Sequence, residues 1–407
     1  RTLHSCIKTL DPVREPGKNQ TGAIILSLIF LTGSVLLWDV THQKISIEEA
    51  DSPTSASGSG EWLVWVEESE DGVEITAGNV TSQTNRTVGG QQWTAAPGVV
   101  SSGTSFVIFD NHSADYFEHN QDSGVLEPIF TESFEEEIVD IAILIDSNGA
   151  EHLGILSQNS LQLIDTSDKS IEIAELNTNS SVVASSGALI AISEKSESGP
   201  LVNITSIDSE LTISIPLDPR SSDRIEDSII NSGTYLDFQN STIVDLVMDS
   251  NWLVATVDVG PFNRTVLVDT LSINQTLISN PRWDSSSPSI GDGRVAFLQV
   301  TRDDILSSAS SSQRNNDVYV HELESGETKQ YTFDEGISQT QPQILLERLA
   351  WIEINDDGEK ELQLFSFTDT IEPRNSLLLQ ASILAMIPLI FLWTLQSYST
   401  EKITQRV

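Results

Sequence analysis

Histidines, a lone cysteine and a large excess of carboxylates are the side chains through which this chain would hold a metal or act on a substrate. The six histidines are His4, His42, His112, His119, His152 and His321. Only His112 and His119 lie close together, at an odd spacing that puts them on opposite faces of a strand. They read as exposed loop residues rather than as a ligand pair. Two acidic turns, Asn355-Asp356-Asp357-Gly358 and Glu67 to Gly72, offer the hard oxygens that calcium takes. Neither has the twelve-residue loop or its closing bidentate glutamate, so both read as hairpin turns. The run Glu135-Glu136-Glu137 reads as solvated surface. The sequence contains no Gly-x-Ser-x-Gly elbow, His-Glu-x-x-His helix, phosphate loop or dinucleotide fingerprint. The expectation is therefore no catalytic residue, no metal and no cofactor. Trp62, Trp65, Trp252 and Trp351 alternate within strands and read as core packing rather than as a ligand site. Asn-x-Ser/Thr sequons stand at Asn79, Asn85, Asn111, Asn179, Asn203, Asn240, Asn263 and Asn274, and are candidate N-glycosylation sites.

The segments that would position such groups differ sharply in composition. Residues 22–38 and 377–395 are free of charge. At about 1.5 Å rise per residue, each is long enough to cross a hydrocarbon core of roughly 30 Å. The first draws in residues to 40 at its border. Trp38 and Trp393 sit near span ends, where indole favours the interface. No small-x-small pattern follows Trp38, which favours an uncleaved anchor over a signal peptide. The tail 1–21 has Arg1, Lys8, Arg14 and Lys18 against Asp11 and Glu15, and the tail 396–407 has Lys402 and Arg406 against Glu401. Residues 39–375 hold 15 Lys and Arg against 57 Asp and Glu. The basic tails predict a two-pass protein of the cell membrane, with both termini cytoplasmic and the large domain outside. Cys6 is the only cysteine, so no disulfide staples that domain. A pI near 4.2 makes its surface repel nucleic acid and suits salt, which screens self-repulsion.

Between the apolar segments the pattern is of short β-branched strands separated by Asp71-Gly72, Asn148-Gly149, Asp292-Gly293, Ser325-Gly326 and Asp357-Gly358. One strand type recurs, beginning at Trp62, Ser105, His152, Ala188, Trp252, Arg294 and Arg348, and is read as opening each unit. The intervals, measured on its first aliphatic, are 43, 47, 36, 64, 42 and 54 residues. That spacing predicts an all-β propeller of about seven blades, with six or eight as alternatives, flanked by two transmembrane helices. Radial closure would remove sheet edges; a β-sandwich pair is the other architecture with such spacing. The long interval, holding the polar stretch from Asp218 to Gly233, is either a loop or a missed blade. Ile138-Val139-Asp140 and Ile243-Val244-Asp245 form a matching triplet ahead of two of the recurring strands.

The resulting map is a tail (1–21), a span (22–40), a flexible linker (41–60), a propeller (61–368), a short linker (369–376), a span (377–395) and a tail (396–407). The linker assignment rests on EEADSPTSASGSG, residues 48–60. Because a ring's first and last strands must meet, the two spans are expected to leave the ring at one place. Residues 277–367 resemble the propeller repeats of the TolB-like family. The positions that carry the likeness are Asp317, Tyr319, Leu323, Ser325-Gly326-Glu327, Tyr331-Thr332, Pro342 and Arg348-Leu349-Ala350-Trp351. The resemblance implies a propeller and leaves the job open, since such repeats serve many. The expected function is a non-enzymatic surface module that binds a protein or an envelope polymer. The alternatives are a glycan- or peptide-cleaving enzyme with a composite site on the ring axis, and a sensor ectodomain that needs a cytoplasmic partner.

Overall fold

Short strands pair antiparallel, most with a neighbour in sequence, and make seven sheets, which we number as blades 1 to 7 in chain order; Val125–Leu126 adds a parallel fifth strand to blade 1. The computed structural model describes residues 45–46 and 52–367, apart from 70–71, 91–92, 94, 122–123, 159, 176–179, 197–198, 210, 232–235, 301–314 and 333–336. The innermost strands are Pro53–Ser59, Gly98–Ser101, Ile138–Ile145, Val183–Ser186, Thr242–Asp249, Ser285–Gly291 and Ser338–Leu345. Each touches the next, and the last touches the first, so they enclose an axis.

The recurring strand is the second of each blade, not the first: Trp62–Ser69, Ser105–Phe109, Glu151–Ser157, Leu189–Ser196, Trp252–Asp258, Arg294–Val300 and Arg348–Ile354. Covered on both faces by neighbouring blades, it carries the longest apolar run and dominates the sequence signal. In blade 5, Leu253, Val254, Ala255 and Val257 are all fully buried. Trp65 and Trp351 are core residues, with their indole N–H groups donating to Glu67 and Glu353 at 2.5 and 2.9 Å. The 64-residue interval hides no blade; it holds an insertion with one helix, α1 (Asp223–Asn231).

Within the linker expected over 41–60, residues 45–46 and 53–59 are strand instead. Pro53–Ser59 is the innermost strand of blade 1, and Ile45–Ser46 is the outermost strand of blade 7. Ser, Ala and Gly read as flexible chain by composition, but near the axis only small side chains fit. A Cβ on Gly58 would stand 2.5 Å from Leu345 Cδ2. Ala56 N–H and Gly58 N–H donate to the side-chain oxygens of Gln341 and Gln343 in blade 7, at 2.6 and 3.1 Å. Blade 7 is thus built from both ends of the domain, with Ile45 opposite Leu364 and Ser46 opposite Gln363.

The ring has two faces. The hairpin face carries the turns that join first to second and third to fourth strands; the crossover face carries the remaining connections. The pairing of Ile45 with Leu364 is antiparallel, so the chain enters before Ile45 and leaves after Ser366 on the hairpin face. The spans expected at 22–40 and 377–395, the tails, the linker 369–376 and Asn179 lie outside the described residues. Among the described residues no helix is long and apolar enough to cross a membrane.

Polar staples join the blades where the apolar core ends. Glu151 of blade 3 accepts from Ser105 Oγ at 2.5 Å, from Tyr116 OH at 2.6 Å and from Thr104 Oγ1, all of blade 2. Burial, with the Glu151 carboxylate beside it, pushes the Tyr116 phenol far above its ordinary pKa. Glu151→Ala removes the acceptor that the Ser105 and Tyr116 hydroxyls share and is expected to cost about 2–3 kcal/mol in urea unfolding.

Candidate functional site

Small inner-strand residues leave the axis open, as a cavity of about 730 Å³ lined by strands from all seven blades. Asp249 and Asp292 line its hairpin end, and two further carboxylates, Asp140 of blade 3 and Asp245 of blade 5, line it toward the crossover end. Asp140 and Asp245 stand at matching places. In each strand the pairing slips by one residue, between Ile138 and Asp140 and between Ile243 and Asp245, and this bulge re-aims the side chain. Within each triplet the isoleucine is buried in the core and the valine is exposed at the crossover end of the strand (Val139, Val244), while the aspartate lines the channel wall.

Asp140 and Asp245 are satisfied unequally. Asp140 accepts from its neighbour Ile141 N–H through Oδ1 and from Val183 N–H of blade 4 through Oδ2, both at 2.9 Å. Asp245 accepts from Leu246 N–H through Oδ1 at 2.9 Å. Among the described residues no donor reaches its Oδ2. The reason is in the sequence of the next blade. By register, Val183 stands just before Ala184, which faces Ala191; the same place in blade 6 stands just before Ser289, which faces Ala296. That residue is Pro288, which has no N–H to give.

Burial raises both acids, although each keeps some surface on the channel. Asp140 is pushed up to about 6 against the pull of its two N–H donors. Asp245 is pushed up to about 7 by burial, with only Leu246 N–H opposing it and the Asp140 charge adding to it. A carboxylate so placed gains most from a ligand that brings its own N–H donors and positive charge.

The residues singled out from sequence lie elsewhere. His112 is exposed, but His119, although it stands in a turn just past its strand, is not. It is 1% exposed, stacked on Trp62 at 4.4 Å and Phe106 at 5.0 Å, and burial lowers its pKa to about 4. Asn355 caps its own hairpin by accepting from Asp357 and Glu359 N–H at 3.0 and 2.9 Å. Among the described residues no three His, Cys, Asp or Glu side chains converge as metal ligands would. Of the sequons, Asn85, Asn111, Asn240 and Asn274 are exposed; Asn79, Asn203 and Asn263 are half-buried. Asn203 is engaged by Glu194 and by Ser214 Oγ at 2.6 Å.

No protein-family model matches the chain, and no curated protein matches it. Solved structures do. The β-propeller domain of Myceliophteria thermophila Cps50 (Swd1) superposes with a TM-score of 0.54 at 11% identity, covering 80% of this chain and 100% of that one. An acylaminoacyl peptidase of Pyrococcus horikoshii gives 0.51 at 10% identity, covering 77% of this chain and 51% of its own. A puromycin-hydrolyzing peptidase of Mycobacterium tuberculosis gives 0.50 at 11% identity, with 82% and 53% covered. The chain spans about half the length of those two peptidases. At these identities the likeness establishes a seven-bladed propeller of the kind found both in WD40 proteins and in peptidase propeller domains, and nothing about activity.

Proposed function

We propose that the protein is a binding module, tethered to a membrane through the two charge-free segments, whose channel receives a cationic group of a protein or envelope-polymer partner. One observation carries the reading: Asp245 offers an unsatisfied carboxylate oxygen inside a channel built by all seven blades. A binding site needs such a group, whereas a hydrolytic site would also need a nucleophile or an activated water beside it. Among the described residues the channel is lined mainly by serines, glycines and aliphatics, with four aspartates and two glutamines and with no histidine, lysine or arginine. The likeness to WD40-type propellers favours partner recognition in general. The tether reading rests on the charge pattern of the tails and on the exit of both chain ends at one face.

The test is capture of a partner from native envelope extract by the full chain in detergent, at pH 8 and in salt. Asp245→Asn, which keeps the shape and removes the charge, is expected to lose the partner retained by the wild type. Equal capture by both would place recognition away from the channel. Turnover of an envelope polymer that Asp245→Asn abolishes would replace binding by catalysis.

A further inference from the structure

The hairpin face carries an apolar edge that the ring itself does not cover. At the start of the outermost strand of blade 4 (Thr212–Pro216), Leu211 and Ile213 are 63% and 37% exposed; in the last turn of blade 5, Leu271 and Ile273 are 75% and 51% exposed. Both pairs lead into strands that flank the blade 4–5 core. Ile213 stands opposite Ile204, whose side chain belongs to the core between blades 4 and 5. Leu277, on the strand that Ile273 leads into, stands opposite Val266 and packs against that same core. The four side chains therefore extend the blade 4–5 core outward to the rim, where water covers them. Ile171 and Ile173, at the corresponding end of blade 3, add two more exposed side chains to the same face.

The backbone at this edge is strained in a way that packing does not require. The third-to-fourth strand turn of blade 5 closes with Ile273 N–H on Asp269 C=O at 2.7 Å. Blades 3 and 6 close the same turn with Lys169 on Asp165 and Gly326 on Glu322, both at 2.9 Å. The closing residue is left-handed in all three, with φ of 59° at Lys169, 58° at Ile273 and 68° at Gly326. Glycine takes that conformation freely, while a β-branched residue is its least tolerant occupant. Blade 5 thus holds an isoleucine where it costs backbone energy and exposes apolar surface, and a costly local choice of this kind marks a function.

What covers the edge follows from where the chain leaves the ring. Both exits are on this face. The expected span ending at residue 40 stands five residues before Ile45, and the one beginning at 377 stands eleven residues after Ser366. At full extension those tethers reach no further than about 18 Å and about 40 Å. We infer that the Leu211, Ile213, Leu271 and Ile273 edge is a lipid-seating surface, which lays the hairpin face of the ring on the membrane and turns the crossover mouth of the channel, with Val139 and Val244, away from it. The inference rests on the reading that the two charge-free segments span the bilayer. Leucine and isoleucine at turn tips insert into the interfacial region, with affinity set by apolar area buried. The acidity of the chain predicts a preference for zwitterionic over anionic lipid.

The test uses the full chain in phosphatidylcholine vesicles. Because Cys6 is the only cysteine, a Cys6→Ser background accepts one fluorescent label at a time, at Leu271→Cys on the edge or at Asp357→Cys on the crossover face. The label at 271 should be quenched several-fold more strongly by nitroxide-bearing lipid than the label at 357. Ile273→Gly, which relieves the strained turn, should raise the thermal midpoint and yet reduce quenching at 271. Carbonate extraction, run in parallel, reads the anchor separately. A carbonate-resistant chain whose labels at 271 and 357 are quenched alike overturns the seat and leaves the anchor standing. Shielding at 271 without lipid quenching, accompanied by crosslinked pairs, gives the edge to a second copy and overturns the seat. A carbonate-extractable chain overturns both.

Discussion

Arg264→Ala is expected to cost about 3–5 kcal/mol in stability, the largest loss from any single side chain outside the apolar core. Arg264 is fully buried. One of its Nη atoms donates to Pro219 C=O at 2.9 Å and to Glu226 Oε1 at 2.8 Å; the other donates to Pro281 C=O at 2.8 Å and to Glu226 Oε2 at 3.3 Å. Glu226 lies on α1, so this one guanidinium fastens the blade 4–5 insertion to blade 5. Truncation leaves the buried Glu226 carboxylate without its counter-charge and two carbonyls without their donor, and that uncompensated charge accounts for most of the cost. The double variant Arg264→Met/Glu226→Gln removes the charge together with its partner and is expected to recover much of the loss. Limited proteolysis should cut the single variant first in the α1 insertion. Burial pushes the Glu226 carboxyl up, but Arg264 and the Ser221 donors outweigh it and hold its pKa below the ordinary value. A depressed folded pKa contributes stability that is present above the unfolded value and is lost as pH falls through the folded one. The wild type therefore gives up this contribution in acid, and Arg264→Ala, which lacks it, is less sensitive there.

Asp245→Asn is expected to act in the opposite sense, raising stability while removing function. Its folded pKa of about 7 stands above the ordinary aspartate value. A raised folded pKa gives stability that is fully present below the unfolded value, near 3.9, and is lost as pH rises through the folded one. Wild type and variant should thus unfold alike near pH 4 and separate as pH rises. By pH 8 the variant should lead by roughly 2 kcal/mol, a figure that allows for water in the channel. Denaturant midpoints at a series of pH values check this. The same acid governs recognition. A cation binds the ionised form, so affinity should tighten roughly tenfold between pH 6 and pH 8, and Asp245→Asn should abolish that dependence. A site that costs stability in the empty protein and repays it on binding is the usual signature of function.

Seven blades were legible because the second strand of each is buried on both sides and must be continuously apolar. The first strand was not legible, for the converse reason. Around an axis the space is small, so Pro53–Ser59 is written in Ser, Ala and Gly, the composition of a tether. Asp140 and Asp245 were half visible. The Ile-Val-Asp triplets repeat, yet their meaning depends on a bulge and on which residue of the next blade faces them. Val183 and Pro288 acquire their contrast only once blades 3 to 6 stand side by side. Arg264 and Glu226 lie 38 positions apart on an insertion and a strand, with no local pattern to join them. His119 follows an apolar strand as a loop histidine would, and the rings that cover it, Phe106 of its own blade and Trp62 of the neighbouring one, come together only in the fold.

The central claim, that an unsatisfied acid on the axis makes this ring a receptor for cationic groups, is tested most directly by calorimetric titration of the full chain in detergent with tetralysine. The titration is run in about 0.5 M salt, where screening within roughly 4 Å suppresses attraction to the acidic surface. A single saturable site that tightens about tenfold from pH 6 to pH 8, and that is lost in Asp245→Asn, is the predicted result. Binding that is unchanged by Asp245→Asn, or that disappears altogether at this salt, would contradict it.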